Sequence, residues 1–84
     1  MTNGKRILIV DDDTTLVEML SEQLQLNEEF ATVSAELGAD ALVLSKKNNY
    51  DAIILDVGLP DMDGREVCRL MRRNGVRSPI IMLP

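Results

Sequence analysis

Three aspartates in this sequence, Asp11, Asp12 and Asp56, stand where carboxylates do chemistry rather than simply face water. Asp11-Asp12-Asp13 follows directly on the apolar run Ile7-Leu8-Ile9-Val10, and Asp56 follows directly on Ala52-Ile53-Ile54-Leu55. Short continuous apolar runs of this kind read as strands buried on both faces of a parallel sheet. In open parallel sheets the reactive groups gather beyond the carboxyl ends of the strands, near the point where strand order reverses. Carboxylates brought together there repel one another and take up protons unless a cation neutralises them. Mg2+ suits such a set, because it takes oxygen ligands at about 2.0–2.1 Å, keeps several waters and commonly uses one or two carboxylates plus a phosphate. The sequence has no His and a single cysteine, Cys68, so an imidazole or thiolate zinc site is excluded by inventory. A carboxylate is also a competent nucleophile for phosphoryl transfer, through an aspartyl phosphate.

The elements that must position these residues follow from hydrophobic spacing. Lys5 to Val10 is the first strand. From Thr14 to about Leu26, Leu16, Met19, Leu20 and Leu24 recur at helical spacing, and Thr15 with Glu18 fits a capping box at the start. Phe30 to Ala35 is a weaker strand, and Ala39 to Lys47 after Gly38 is a short helix ended by Asn48-Asn49. Ala52 to Leu55 is the third strand, ending at Asp56. A loop rich in Pro, Gly and Asp, Val57 to Asp63, leads through Gly64 into a helix reaching about Asn74, with Val67, Leu70 and Met71 on one face and Gly75 suited to the C-terminal cap. Pro79 to Leu83 is a fourth strand. The order β-α-β-α-β-α-β, without repeats or linkers, predicts an α/β fold: a doubly wound parallel sheet with helices on both faces.

With these residues in place, Ile7-Leu8-Ile9-Val10-Asp11-Asp12-Asp13 and Leu55-Asp56-Val57-Gly58-Leu59-Pro60-Asp61-Met62-Asp63-Gly64 resemble the receiver domains of bacterial response regulators across every strand and helix present. The resemblance implies a flavodoxin-like sheet with strands one and three adjacent, and a phosphoryl group accepted on Asp56 from a sensor histidine kinase or a histidine phosphotransfer protein. It implies Mg2+ held by Asp11, Asp12, Asp56 and the backbone carbonyl of Gly58, with Asp12 the more direct ligand and Asp11 acting more through water. Pro60 and Gly64 match the turn that shapes the loop, whereas Asp13, Asp61 and Asp63 match common family residues to which the pattern gives no chemical role. Such a module is a phosphoacceptor and not an enzyme.

The sequence also departs from the family. A complete receiver has further elements, α4-β5-α5, so residues 1–84 correspond to roughly the N-terminal two thirds of such a domain. Where the family carries Thr or Ser after strand four, this sequence has Pro84, and the family's lysine ending strand five has no counterpart. The expectation is a shorter-lived phosphoryl adduct. A competing expectation is a truncated, phosphorylation-incompetent module acting through self-association, most simply as a dimer formed through the apolar run Ile80-Ile81-Met82-Leu83. On this expectation Ile7, Ile9, Ile53 and Leu55 lie on a sheet face with nothing to cover them.

Other assignments fit less well. Asp11-Asp12-Asp13 alone is as easily a solvated helix cap, but it is joined by the second motif. Aligning Gly64 with the glycine of a calcium loop puts Leu59 and Leu70 where the first and last carboxylates belong, so an EF-hand fails. A haloacid-dehalogenase-type phosphatase needs a second aspartate where Gly58 stands. A metal-dependent hydrolase lacks a general base beyond the carboxylates. Arg65, Arg69, Arg72, Arg73 and Arg77 read as a solvated basic set around the third helix. At 84 residues, 45% hydrophobic, the chain makes one small domain, and its net charge of -5 argues against nucleic-acid binding by this segment. The lone cysteine, the short apolar runs and the polar first residues predict a cytoplasmic protein with no leader and no membrane span.

Overall fold

In the computed structural model, which describes residues 4–84, strand and helix alternate throughout. The elements are β1 (Lys5–Val10), α1 (Thr14–Gln25), β2 (Phe30–Ala35), α2 (Gly38–Lys47), β3 (Ala52–Asp56), α3 (Gly64–Arg73) and β4 (Ile80–Leu83). The first three residues, part of the polar start noted above, lie outside the described residues. All four strands are parallel, in the order β2-β1-β3-β4, which is the expected flavodoxin-like arrangement with β1 beside β3. Strand β4 begins at Ile80 rather than Pro79: proline has no N–H to donate to the ladder, though its carbonyl accepts from the Ile53 N–H at 2.9 Å. No helix among the described residues is long and apolar enough to cross a membrane.

Alternation along the strands, combined with register, builds two cores. Leu8 pairs with Ile53 and Val10 with Leu55. These four side chains are sealed beneath α2 and α3 with Ala41, Val67 and Met71. The intervening residues Ile7 and Ile9 face the other way, into a smaller core with Val17, Leu20 and Leu24 of α1 and with Ile54. This corrects the expectation of an uncovered face: Ile53 and Leu55 share a face with Leu8 and Val10, not with Ile7 and Ile9, and both are fully buried, while α1 covers Ile7 and Ile9. Full burial of a side chain the size of Leu, Val or Met contributes about 1.5–3 kcal/mol. Within the sheet, β4 pairs with β3 alone among the described residues and leaves Ile81 54% exposed.

Helix termini show a second difference. Asp13, not Thr15, caps α1, with its side chain accepting from the Leu16 N–H at 3.1 Å. The helix starts at Thr14, so Leu16 takes the third helical position and Glu18 lies too far along to close a capping box. Asp63 caps α3, accepting from the Arg65 N–H at 2.8 Å and pairing with the Arg65 guanidinium at 2.7 Å. At the other end of α3, Gly75 takes a left-handed φ of 89°, Gly75 N–H bonds Arg72 O and Val76 N–H bonds Met71 O. This double bond is the Schellman ending for which glycine is suited. The arginines serve local ends too: Arg69 pairs with Glu66, and Arg72 donates to the carbonyls of Val76 and Ser78.

The Arg65 guanidinium and backbone N–H hold the Asp63 carboxyl at a pKa of about 2, below its ordinary 3.8. A lowered carboxyl pKa adds stability above the ordinary value and loses it as pH falls through the folded value. Urea midpoints of the wild type should therefore drop more steeply than those of Asp63→Asn as pH falls from 3.8 toward 2. Parallel curves would show that the cap charge adds nothing.

Candidate functional site

The pairing of Val10 with Leu55 brings the next residue of each strand out side by side at the carboxyl edge of the sheet. There Asp11, Asp12 and Asp56 converge, with one carboxylate oxygen from each lying within 4.8 Å of the others. Asp11 is 4% exposed, Asp56 half-buried and Asp12 open to solvent. The backbone fixes Asp11 from both sides: its N–H donates to Ala35 O at 3.0 Å, and its Oδ1 accepts from the Asp13 N–H at 2.9 Å. Burial pushes its pKa up. The bond from Asp13 opposes that shift, and the negative charges of Asp56, Asp12 and Asp13 add to it. Neither ion pair among the described residues involves these three carboxylates. An all-oxygen, net negative set with one buried member and no cationic partner fits a hard divalent cation.

The loop after Asp56 frames the site. Its two ends are tied together, since Gly64 N–H donates to Val57 O at 2.8 Å and Gly58 bridges Asp63 in antiparallel fashion. Leu59 is buried in the larger core and Met62 packs against it. At the tip, the Asp61 carboxylate leaves its own loop and accepts from the N–H groups of Gly38 and Ala39, at 2.8 and 3.0 Å. These bonds lower its pKa. Two glycines have opposite constraints: a Cβ at Gly64 would overlap the Asp56 carbonyl, whereas one at Gly58 would meet only Asp56 Oδ2 at 3.8 Å. Gly58 thus borders the Asp56 carboxylate with its backbone open.

All three carboxylates singled out in the sequence meet, and Gly58 borders one of them, Asp56. Leu83 pairs with Asp56, so Pro84 follows at the same edge. Lys46 instead lines a groove with Tyr50, Asp51 and Ser78, where β3 begins, far from the strand end that carries Asp56. Sequence pattern left Asp13, Asp61 and Asp63 without a role; here each binds the start of a helix. Asp13 and Asp63 directly precede helical runs, a signal that capping preference offered. Asp61 reaches across 23 residues, and no local spacing announces that contact.

A family model for the response regulator receiver domain matches residues 7–84. The cell cycle response regulator CtrA of Brucella ovis is 37% identical over 78 residues, which are 93% of this chain and 33% of CtrA. The receiver domain of Francisella response regulator 1452 superposes with a TM-score of 0.87 at 29% identity, over 94% of this chain and 64% of that one. The MaeR response regulator bound to beryllium trifluoride gives 0.84 at 30% identity, over 99% and 66%. The chain therefore spans about a third of the length of the curated relatives it matches.

The glycine contrast is testable by chemical denaturation. Gly64→Ala should cost on the order of 3 kcal/mol, because backbone must shift to admit the methyl group. Gly58→Ala should leave the midpoint nearly unchanged. Equal effects at both positions would contradict the described loop.

Proposed function

The chain belongs to the response regulator receiver domain family of two-component systems, and we propose that it accepts a phosphoryl group on Asp56 from a histidine kinase or a histidine phosphotransfer protein. The observation that carries this proposal is the meeting of Asp11, Asp12 and Asp56 at the carboxyl edge of β1 and β3, with one carboxylate buried and none paired to a cation among the described residues. Asp11, Asp12, Asp56 and the Gly58 carbonyl would hold Mg2+. When bound, Mg2+ neutralises charge on the incoming phosphoryl oxygens and helps align them.

The chain's own residues supply the nucleophile and its placement. One Asp56 carboxylate oxygen attacks phosphorus, a new O–P bond forms, and the P–N bond to the donor imidazole breaks. The electron pair leaves with that nitrogen, which takes up a proton. Asp56 is suited to this because it is half-buried on a strand end fixed by β1 on one side and β4 on the other. Asp11, locked by two backbone bonds, holds its carboxyl close by as a candidate metal ligand. The phosphoryl group remains on the chain, so the role is that of an acceptor without turnover, in the cytoplasm. Pro84 offers no hydroxyl to the transferred group, which supports an adduct of short lifetime.

Incubation with a small phosphodonor and Mg2+, followed by intact-mass measurement, should show one phosphoryl group on the wild type and none on Asp56→Asn. Asp12→Ala should abolish metal binding in a titration. Modification that persists in Asp56→Asn would refute the assignment.

Self-association is favoured by a separate observation, the apolar strand β4, which among the described residues pairs with β3 alone and leaves Ile81 54% exposed. An apolar strand edge is a template for another strand, and a two-fold pairing of like edges closes it. In this role the 84 residues form a homodimer and make no contact with nucleic acid. Sedimentation at micromolar concentration should show a dimer for the wild-type polypeptide and a monomer for Ile81→Lys. A monomeric wild type would remove this role.

A further inference from the structure

The strongest unassigned feature near the site is the tip of the loop between β3 and α3. This loop is closed at its base by Gly64 N–H on Val57 O and by the Gly58–Asp63 bridge. Its base is also jammed against β3, because Gly64 leaves no space over the Asp56 carbonyl. A loop closed in this way carries Gly58, a member of the closing bridge, along with its tip as one body. The tip is tied to α2, because both carboxylate oxygens of Asp61 are used, Oδ1 by Gly38 N–H at 2.8 Å and Oδ2 by Ala39 N–H at 3.0 Å. Among the described residues these are the only side-chain hydrogen bonds joining the loop to α2. The first turn of α2 is itself seated tightly, since a Cβ at Gly38 would lie 2.7 Å from Val67 and 3.1 Å from Met62.

Resting on the metal site proposed above, we infer that Asp61 is a positioning residue for it. By clamping the loop tip to the first turn of α2, Asp61 sets where the Gly58 carbonyl stands relative to Asp11, Asp12 and Asp56. It touches neither the cation nor the phosphoryl group. Leu59 and Met62 remain anchored in the core without it, so its loss loosens orientation without releasing the loop. Both oxygens accept N–H donors. An asparagine, with one acceptor and an amino group facing the second N–H, keeps half of the clamp.

The test is a Mg2+ titration by calorimetry and by 15N amide shifts on the wild type, Asp61→Ala, Asp61→Asn and Leu24→Ala, with metal-free unfolding midpoints for each. Leu24 packs in the smaller core, away from the loop, and serves as a control for general loosening. Wild type should bind, with the Gly38 and Ala39 amides moving along the titration. Asp61→Ala should weaken binding roughly tenfold, as loss of an outer-shell partner does. Asp61→Asn should fall between, and Leu24→Ala should bind as wild type despite a lower midpoint. Wild-type affinity in Asp61→Ala, or the same loss in Leu24→Ala, would overturn the positioning role while leaving the metal site standing. If Asp61→Ala does not fold, Asp61→Asn decides by the same criterion. A wild type that binds no Mg2+ would overturn the metal site and the clamp together.

Discussion

The interaction on which the rest depends is repulsion between carboxylates that the backbone will not let separate. Pairing of Val10 with Leu55 fixes the exit points of Asp11 and Asp56, and the two bonds holding Asp11 deny it an escape into solvent. Like charges brought together with one of them buried raise the free energy of the folded state unless a proton or cation joins them. Burial first, and then the charges of Asp56, Asp12 and Asp13, push the Asp11 pKa up, against the bond from Asp13. The apolar cores on both faces of the sheet supply the stabilisation that lets the cluster persist. Strain of this kind concentrates where a fold has a ligand to bind, which supports reading the cluster as a site.

Much of the fold was legible because strand runs and helical spacing carry it. Ile7 to Val10 and Ala52 to Leu55 announce buried parallel strands, and a carboxylate directly after each marks the reactive edge. Register was not legible. Which of Ile53 and Ile54 shares a face with Ile9 depends on a one-residue choice of pairing, and that choice reversed the expectation about which residues are covered. Local chemistry also misled at α1, where a Thr–Glu spacing suggested a capping box while Asp13, one residue before Thr14, took the role.

The candidate site was legible in its carboxylates and silent in its supports. Asp11, Asp12 and Asp56 could be named from strand ends. Asp61 could not, because its partners Gly38 and Ala39 are backbone groups brought near by the packing of α2 against α3. A side chain that binds remote backbone leaves no signature in residue type or spacing at the other end of the bond.

The parallel topology explains how the remaining aspartates are disposed. Every helix here follows a strand and so begins at the carboxyl edge, which places three helix N-termini, each carrying partial positive charge, around one acidic site. Those positive ends are taken by Asp13 on α1, Asp61 on α2 and Asp63 on α3. Had the helix termini bound Asp11 or Asp56 instead, backbone N–H groups would have taken the place of a cation beside them. By giving the donors to aspartates outside the cluster, the fold leaves Asp11, Asp12 and Asp56 without a helix-terminus partner among the described residues. Attraction for a hard cation is then focused at one point, although the whole edge is rich in aspartate. The same four bonds pin the loops that carry the cluster to the starts of α1, α2 and α3, so charge separation and placement come from one set of contacts.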